Sequence, residues 1–491
     1  MTHNINIYTH PSSLGGTGLF ATTKITPGQL VLSIPEPLVT VPDDIHLTEC
    51  CSRCMLWRPA GGGTSMLNLY EDERSLNYCT GCRVVKYCSK DCQRADWRAL
   101  HKVECAIFKK LHPRILPGSV RATIRMLWTT PGEAWSQINS LESHESELRK
   151  TDKWEMITLM AKGAHGYSGT ILGEKDVRGV YARLLINSIT LVNSTFDPIG
   201  IAFDPLASLM NHSCDPNSVM VFDGRTVSVR ALREIAKDEE ITISYIDNTN
   251  PTSRRRSELQ GRYFFTCSCQ KCVSPATCSG LKEVFIDIPG VTTSNLEEYA
   301  WAAISTPSED VLLKAIRALH TTKLWPLQRQ PLPLLHHELI HSVYIPLSKW
   351  PQALLHSLLL YLYVDPVHYP QRHHPVRVTH AFTLVSLFLQ VSGDLDSLER
   401  VAPKAKGMDL DLGKIIWGLL CEIVAHVALS HGTESTFAQT VRRKKQEVGE
   451  DLGANETTGV WVGKRINDVG LEEELVKIRV LVDGLLEEMK N

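Results

Sequence analysis

Charge of one sign is what this sequence lacks most. Its 52 Lys and Arg stand against 54 Asp and Glu, a formal net charge of −2 over 491 residues. Such a balance excludes a basic nucleic-acid-binding domain as the dominant feature of the chain. Long apolar runs are also missing. The greasiest stretch, Leu354 to Val364, is too short to cross a bilayer and is interrupted by His356, so a buried helix is expected there. The opening residues, MTHNINIYTHPSS, show no basic region followed by an apolar one. No signal peptide is expected, and the chain is placed in the cytoplasm, the nucleus or both. The Asn-x-Ser/Thr matches at Asn193, Asn211 and Asn455 are then chance. A disorder-prone composition is absent as well: 43% hydrophobic and 22% charged residues are ordinary for a globular protein. The length exceeds what one core supports, so two to four domains are expected.

What the sequence does have is cysteine, unevenly placed. Of 14, eight lie between Cys50 and Cys105, five between Cys214 and Cys278, and Cys421 stands apart. In a reducing compartment such clusters are metal ligands more often than disulfides. Around them the chain alternates in character. Residues 14–45 read as short strands punctuated by Thr26-Pro27-Gly28, and 106–190 as mainly helical. Residues 200–246 return to strands, with a hairpin signal in Val219–Phe222, Asp223-Gly224 and Thr226–Val229. From about 281, apolar-periodic helices recur at 311–319, 354–364, 415–429 and 471–489, the last with Leu471, Leu475, Ile478, Leu485 and Met489 near one face. They can stack in pairs, but no repeat of fixed period is clear enough to name. Gly61-Gly62-Gly63 reads as a loop tip.

The first cluster is Cys51-x2-Cys54, Cys79-x2-Cys82, Cys88-x3-Cys92 and His101-x3-Cys105. Four pairs of soft ligands suffice for two tetrahedral zinc ions, and in a segment with so little core the metal would supply most of the folding free energy. The run YCSKDCQRADWRALHKVEC, with Tyr87, Gln93 and Trp97 beside the ligands, resembles the second half of a MYND zinc finger. That resemblance implies interleaved sites: Cys51, Cys54, Cys88 and Cys92 on one zinc, Cys79, Cys82, His101 and Cys105 on the other. The 24-residue loop from Met55 to Tyr78 is longer than usual for the family, and Cys50 is a spare beside Cys51. The family's finger is a protein-interaction module. Here Lys86, Lys90, Arg94, Arg98 and Lys102 make it locally basic, which reads first as a solvated face and second as a contact for acidic peptide or, weakly, nucleic acid.

Three separated pieces resemble the SET lysine methyltransferases: Gly16-Thr17-Gly18-Leu19-Phe20, Asn211-His212-Ser213-Cys214-Asp215-Pro216-Asn217, and Glu239-Glu240-Ile241-Thr242-Ile243-Ser244-Tyr245. A finger inserted between the first two is the mark of the SET and MYND subfamily. The resemblance implies S-adenosylmethionine as cofactor, a protein lysine as substrate and an α+β fold: small sheets carrying the finger and a helical insert, followed by an all-helical C-terminal domain, one wall of the substrate cleft. The expected division is 1–45, first part of the SET domain; 46–105, finger; 106–195, helical insert; 196–250, SET core; 251–280, post-SET zinc segment; and 281–491, helical domain. Gly16, Gly18, Asn187, Asn211 and His212 are implied in cofactor binding, with the two glycines admitting the backbone close to it. Tyr245 is the implied catalytic tyrosine and also touches the cofactor. Tyr263 would line the lysine channel as a second catalytic-site residue, and Phe265 would stack near the cofactor. Cys267, Cys269 and Cys272 of the post-SET segment cannot close a tetrahedral site alone, and Cys214 is the implied fourth ligand of a third zinc. Cys278 is left unassigned. Asn187-Ser188-Ile189-Thr190 departs from the family's N-S-F-T: Ile189 replaces a channel aromatic, which opens the question of substrate and of how many methyls are added.

The chemistry accounts for these residue types. The sulfonium methyl is electrophilic without a metal, so the protein must align an uncharged lysine amine behind it. Deprotonating a free lysine near pH 7 costs about 5 kcal/mol, which an apolar channel and the adjacent positive sulfonium reduce. A competing reading from another class is a zinc-dependent scaffold that binds partners through the finger and the helices, with weak or no transfer. The retention of Asn211, His212, Cys214, Tyr245 and the post-SET cysteines favours the enzyme. A monomer is expected. His337-Glu338-Leu339-Ile340-His341 spells the zinc-protease H-E-x-x-H, but it lacks a downstream histidine continuation and sits near Pro331 and Pro333; it reads as helix packing, with His336 on a polar face. Arg442-Arg443-Lys444-Lys445 reads as a solvated helix face.

Overall fold

The computed structural model describes residues 6–58, 75–128, 133–274, 288–323, 325–453, 460–461, 464–465 and 471–490. The glycine loop tip at 61–63, Asn455 and Cys278 lie outside them. The described chain forms two compact units: one runs to Asn248 and takes in Ser253–Ser274, the other holds Thr249–Thr252 and the chain from 288 onward.

The first unit is α+β and built from very short strands. Ile7–Pro11 pairs antiparallel with Thr17–Ala21, Tyr8 opposite Phe20. Leu30–Ile34 lies against Thr226–Ala231, which also pairs with Ser218–Asp223 in a three-stranded antiparallel sheet. Here the hairpin loop is Gly224-Arg225, one residue later than the Asp-Gly reading placed it, because Asp223 itself pairs with Thr226. Gly224 takes φ 58°, and a Cβ on it would come 2.5 Å from the Cys54 carbonyl oxygen. The shift therefore lets the finger's backbone sit against the hairpin tip, where only glycine fits. A second sheet has the order Val39–Pro42, Pro198–Phe203, Ile189–Val192. The run read as mainly helical to 190 thus ends at Asn187, and β-branched Ile189, Thr190 and Val192 carry the chain into this sheet. The two sheets and the Thr17–Ala21 strand close on one apolar core that includes Leu19, Leu32, Ile199, Val227, Ile235 and Ile241.

The helical insert packs Gly118–Leu127, Trp154–Ser168 and Glu174–Asn187 together. Small residues at the contact, Ala161, Ala164 and Ala182, let the helices approach, and Ile124, Ile157 and Val177 fill the space between them.

In the second unit the apolar-periodic stretches are helices: Glu309–Thr321, Trp350–Leu359 continuing as a wider π turn over Leu360–Val364, Leu412–Ser430 and Leu471–Lys490. Pro375–Val391 packs against both Trp350–Leu359 and Leu412–Ser430. Leu475, Ile478 and Met489 of the last helix are buried as their spacing requires. The helix Leu412–Ser430 is a longer apolar element than the Leu354–Val364 stretch. It is the one helix among the described residues long and apolar enough to cross a membrane by length and composition. Within the unit it buries Ile415, Trp417, Leu420, Ile423 and Val427 against neighbouring helices.

Candidate active site and metal centres

Three groups of thiol and imidazole ligands converge, each with its donor atoms within 4.8 Å of one another: Cys51, Cys54, Cys88, Cys92; Cys79, Cys82, His101, Cys105; and Cys214, Cys267, Cys269, Cys272. The separations suit tetrahedral zinc, whose sulfurs at 2.3 Å from the metal lie about 3.8 Å apart. Cys54 and Cys88 are 3.6 Å apart, Cys88 and Cys92 3.6 Å, and Cys79 and Cys105 4.0 Å. The donor sets thus fit three zinc ions, two interleaved in the finger and one joining Cys214 to the segment after Tyr263. Cys50 is not a competitor for Cys51. Its side chain is fully buried in the SET core, while Cys51 packs within the finger.

The finger is tied to the helical insert by a buried ion pair. Arg125 donates from Nε to Glu104 Oε1 at 2.6 Å and from Nη2 to Oε2 at 2.8 Å, and its Nη1 donates to the Thr40 carbonyl at 3.0 Å. Both side chains are under 10% exposed. Burial opposes ionisation of Glu104, but the Arg125 guanidinium and His101 outweigh it and hold the carboxyl down at about 2. Glu104 Oε2 lies 3.6 Å from Nδ1 of His101, whose Nε2 faces the sulfurs of Cys79 and Cys82.

The three motif pieces meet through backbone pairing. Asn211–His212 runs parallel to Thr242–Ile243, and the Ser213 amide donates to the Ile243 carbonyl at 2.9 Å. The Thr17–Ala21 strand joins on the other side: the Ile241 amide donates to Leu19 O at 2.7 Å and the Ala21 amide to Glu239 O at 3.0 Å. Asn217, 1% exposed, clamps the assembly. Its side-chain oxygen accepts the Thr242 amide at 2.8 Å and its amide donates to the Glu240 carbonyl at 2.8 Å.

Within this frame Tyr245, half-buried, donates its hydroxyl to the Met210 carbonyl at 2.6 Å. With its one proton so engaged, the phenolic oxygen is left as an acceptor. Burial first, then the neighbouring Tyr263 and Glu240, push its pKa above the ordinary 10. The Tyr263 ring lies 4.9 Å from it, centroid to centroid and tilted by 45°, and Phe265 lies 5.8 Å from the His212 ring. Asn211, half-buried, donates to Glu240 Oε1 at 2.7 Å and to the Gly15 carbonyl at 3.3 Å. Tyr245, Tyr263, Phe265, Asn211 and His212 are therefore brought together, with polar groups at one end and aromatic rings at the other.

The two glycines have separate reasons. Gly16 adopts φ 60°, a backbone demand. A Cβ on Gly18 would meet Glu240 Oε1 at 2.2 Å, so its missing side chain makes room for that carboxylate. Glu240, which also accepts from Ser12 Oγ at 2.8 Å, is a hub that motif reading quoted without assigning it a role. Asn187 lies at the end of its helix and donates its amide to the Glu142 and Arg183 carbonyls, both at 2.8 Å. Ile189 packs, with Tyr245, on the margin of the SET core.

At the H-E-x-x-H stretch no metal-holding group forms among the described residues. The His337 and His341 rings lie 4.2 Å apart between centroids, tilted by 30°, where the helix widens into a π turn over Leu339–Tyr344. His336 is fully buried, not on a polar face: its Nδ1 lies 2.7 Å from Nδ1 of His356, and burial pushes both pKa values down. In the basic tetrad, exposed Arg443 pairs with Glu447 in the manner of a solvated face.

Comparison with known proteins agrees with this geometry. Residues 16–246 match the family model described as SET domain. "SET domain and MYND-type zinc finger protein 6" of Schizosaccharomyces pombe is 34% identical over 266 residues, 53% of this chain and 51% of its own. "Histone-lysine N-methyltransferase SMYD3" of Homo sapiens is 32% identical over 52% of this chain and 59% of its own. "N-lysine methyltransferase SMYD2-A" of Xenopus laevis is 31% identical over 52% and 58%. The matched part spans between half and three fifths of each relative's length. Residues 16–246 thus hold a SET domain split by a two-site finger, and over about half its length the chain is similar to proteins named for a SET domain, a MYND-type zinc finger or lysine methyl transfer.

Proposed function

We propose that this chain is a protein lysine methyltransferase that uses S-adenosylmethionine and carries three structural zinc ions. The observation that carries the reading is the convergence of Tyr245, His212 and Asn211, from two motifs some thirty residues apart, beside Tyr263 and Phe265. Bound S-adenosylmethionine supplies an electrophilic methyl on a sulfonium. Asn211 and the face formed by Phe265 and His212 hold the cofactor, with Gly16 and Gly18 shaping the loop beside it. Tyr245 and Tyr263 wall the lysine channel. Their rings exclude water and would favour the uncharged amine, the form that can accept the methyl as the sulfur keeps the electron pair of the broken S–C bond. The Tyr245 oxygen, its own proton donated to Met210, accepts from the amine and orients it. Asn187, its amide engaged by two carbonyls, supports the pocket from the helix end. Ile189, where the family has an aromatic residue, leaves a wider channel. The substrate is a lysine in a histone or another protein; the finger recruits protein partners, and the monomeric chain works in cytoplasm or nucleus. Its domains divide at residues 45, 105, 195, 250 and 280.

The test is transfer of radiolabelled methyl from S-adenosylmethionine into histones or a cell extract by zinc-replete protein and by Tyr245→Phe. Label in protein lysine that falls about 100- to 1000-fold in the variant is the expected result. Cofactor binding by both proteins with no transfer by either would overturn the enzyme in favour of the partner-binding scaffold, and Ile189→Phe would then be the first substitution to make.

A further inference from the structure

The third zinc site is not an isolated staple. Four thiolates around one divalent ion leave two net negative charges, and Cys214 and Cys272 are both buried. Buried charge of that size needs a counter-charge. Arg255, 3% exposed on the helix Thr252–Tyr263, is in place: its Nη2 lies 3.6 Å from the Cys272 sulfur and 3.4 Å from the Lys271 carbonyl, and the guanidinium interacts with Cys214 as well. The neighbouring Arg256 is exposed and donates to the Cys272 carbonyl at 2.9 Å.

On its other side the site reaches the active-site tyrosine. His212 Nε2 lies 3.2 Å from the Cys214 sulfur, and its Nδ1 accepts the Tyr245 backbone N–H at 3.0 Å. Because Nδ1 is an acceptor, a neutral ring carries its proton on Nε2 and donates it to the thiolate. Metal, sulfur, imidazole and the Tyr245 amide then form one line.

We propose that Arg255 is the charge-balancing residue of the Cys214, Cys267, Cys269, Cys272 zinc site, and that this site, through His212, sets the position of Tyr245. Both are positioning residues. The proposal rests on the zinc assigned to these cysteines and not on methyl transfer. A motif histidine implied to hold cofactor thereby gains a second duty, and loss of one zinc loosens the backbone at the reacting tyrosine without touching the finger.

The experiment uses the full chain with its zinc counted. Release to a colorimetric chelator is followed for wild type, Arg255→Met, Arg255→Lys and Arg256→Met, with hydrogen exchange of the peptide containing Tyr245 read in parallel. In Arg255→Met one of three zinc equivalents should leave about 10- to 100-fold faster while the other two keep their rate. Arg255→Lys should restore most of the slow release, and Arg256→Met, which loses a contact to the Cys272 carbonyl and none to a sulfur, should speed release far less than Arg255→Met does. Protection at the Tyr245 amide should fall in step with that one equivalent. Equal acceleration of all three ions, wild-type release from Arg255→Met, failure of the lysine to rescue, or unchanged Tyr245 protection after release each overturns the proposal. If Arg255→Met does not fold, Arg255→Gln carries the same expectation, and wild-type release from it is fatal. A protein that binds three zinc ions yet transfers no methyl leaves this result readable; one that binds only two removes the proposal at its base.

Discussion

Replacing Glu104 by glutamine keeps its shape and removes its charge. The pair it forms with Arg125 is bidentate and almost wholly buried. Removing the carboxylate leaves a buried guanidinium facing the Thr40 carbonyl and a neutral amide oxygen where a full negative charge had been. Such half-broken buried pairs cost about 3–5 kcal/mol. The lower end applies here, because Asp96, 3% exposed and held by Tyr87 at 2.7 Å, offers a second negative partner to Arg125. The protonation equilibrium leads to a similar figure. A carboxyl taken from an ordinary 4.5 down to about 2 on folding contributes about 3 kcal/mol. The folded-state value lies below the unfolded one, so this stability is complete above about pH 4.5 and is lost as the pH falls toward 2; Glu104→Gln should lack that slope. Denaturant titration in excess zinc should show the midpoint falling at constant m-value, with a thermal midpoint lower by about 6–12 °C. The double variant Glu104→Leu with Arg125→Met should recover most of the loss, since a fitted apolar pair replaces a buried ionic one at little cost. A loss below about 1 kcal/mol, or a double variant no better than the single, refutes this account of what joins finger to insert.

Three further outcomes follow from the geometry. In Gly18→Ala the new methyl displaces the Glu240 carboxylate from Asn211, so cofactor affinity should drop while folding stability falls by only about 1–3 kcal/mol; Gly18→Ala with Glu240→Ala should regain the space, and calorimetric titration with S-adenosylmethionine would register wild-type affinity in the single variant if the reasoning fails. Because the Tyr245 pKa is pushed above 10 by burial, Tyr263 and Glu240, its phenol stays protonated through the range in which lysine loses its proton; kcat/KM should climb from pH 7 to 9, and a falling limb in that window would contradict the assignment. Stripping zinc with a strong chelator should unfold residues 75–111 while leaving amide protection in the Ser218–Ala231 hairpin largely intact, as mass-spectrometric hydrogen exchange can show.

The metal sites were readable because ligands come in short pairs whose spacing the metal dictates, and all twelve proposed ligands converge in the groupings the family resemblance implied. The seven-residue Asn211–Asn217 motif was readable for its rarity. What escaped notice pairs residues far apart along the chain. Glu104 with Arg125, and Glu240 with Gly18 and Ser12, look like ordinary charges in sequence, since nothing local marks them as buried partners. His336 was misplaced because a histidine between an H-E-x-x-H and a proline-rich turn carries no local sign of burial against His356. The Asp223-Gly224 signal named the right hairpin and the wrong pair of loop residues: Gly224 is the first loop residue and not the second, where its missing side chain clears the Cys54 carbonyl. The short helix-to-strand change at Asn187 follows β-branching that a window set to helical periodicity averages away.

The parallel pairing of Asn211–His212 with Thr242–Ile243, flanked by a strand from residues 17–21, bears on the order in which the molecule forms. Each partner is useless until the others arrive, and the first must wait for more than two hundred residues to be synthesised. The finger between them needs only its own sixty residues and metal, and can close early; pairings of such long sequence separation form slowly. A nascent chain would thus carry a finished finger on an unfinished core, with the Thr17–Ala21 edge uncovered. Substitutions that slow the late pairing, Asn217→Ala foremost, would then reduce the yield of folded protein more than its stability once folded.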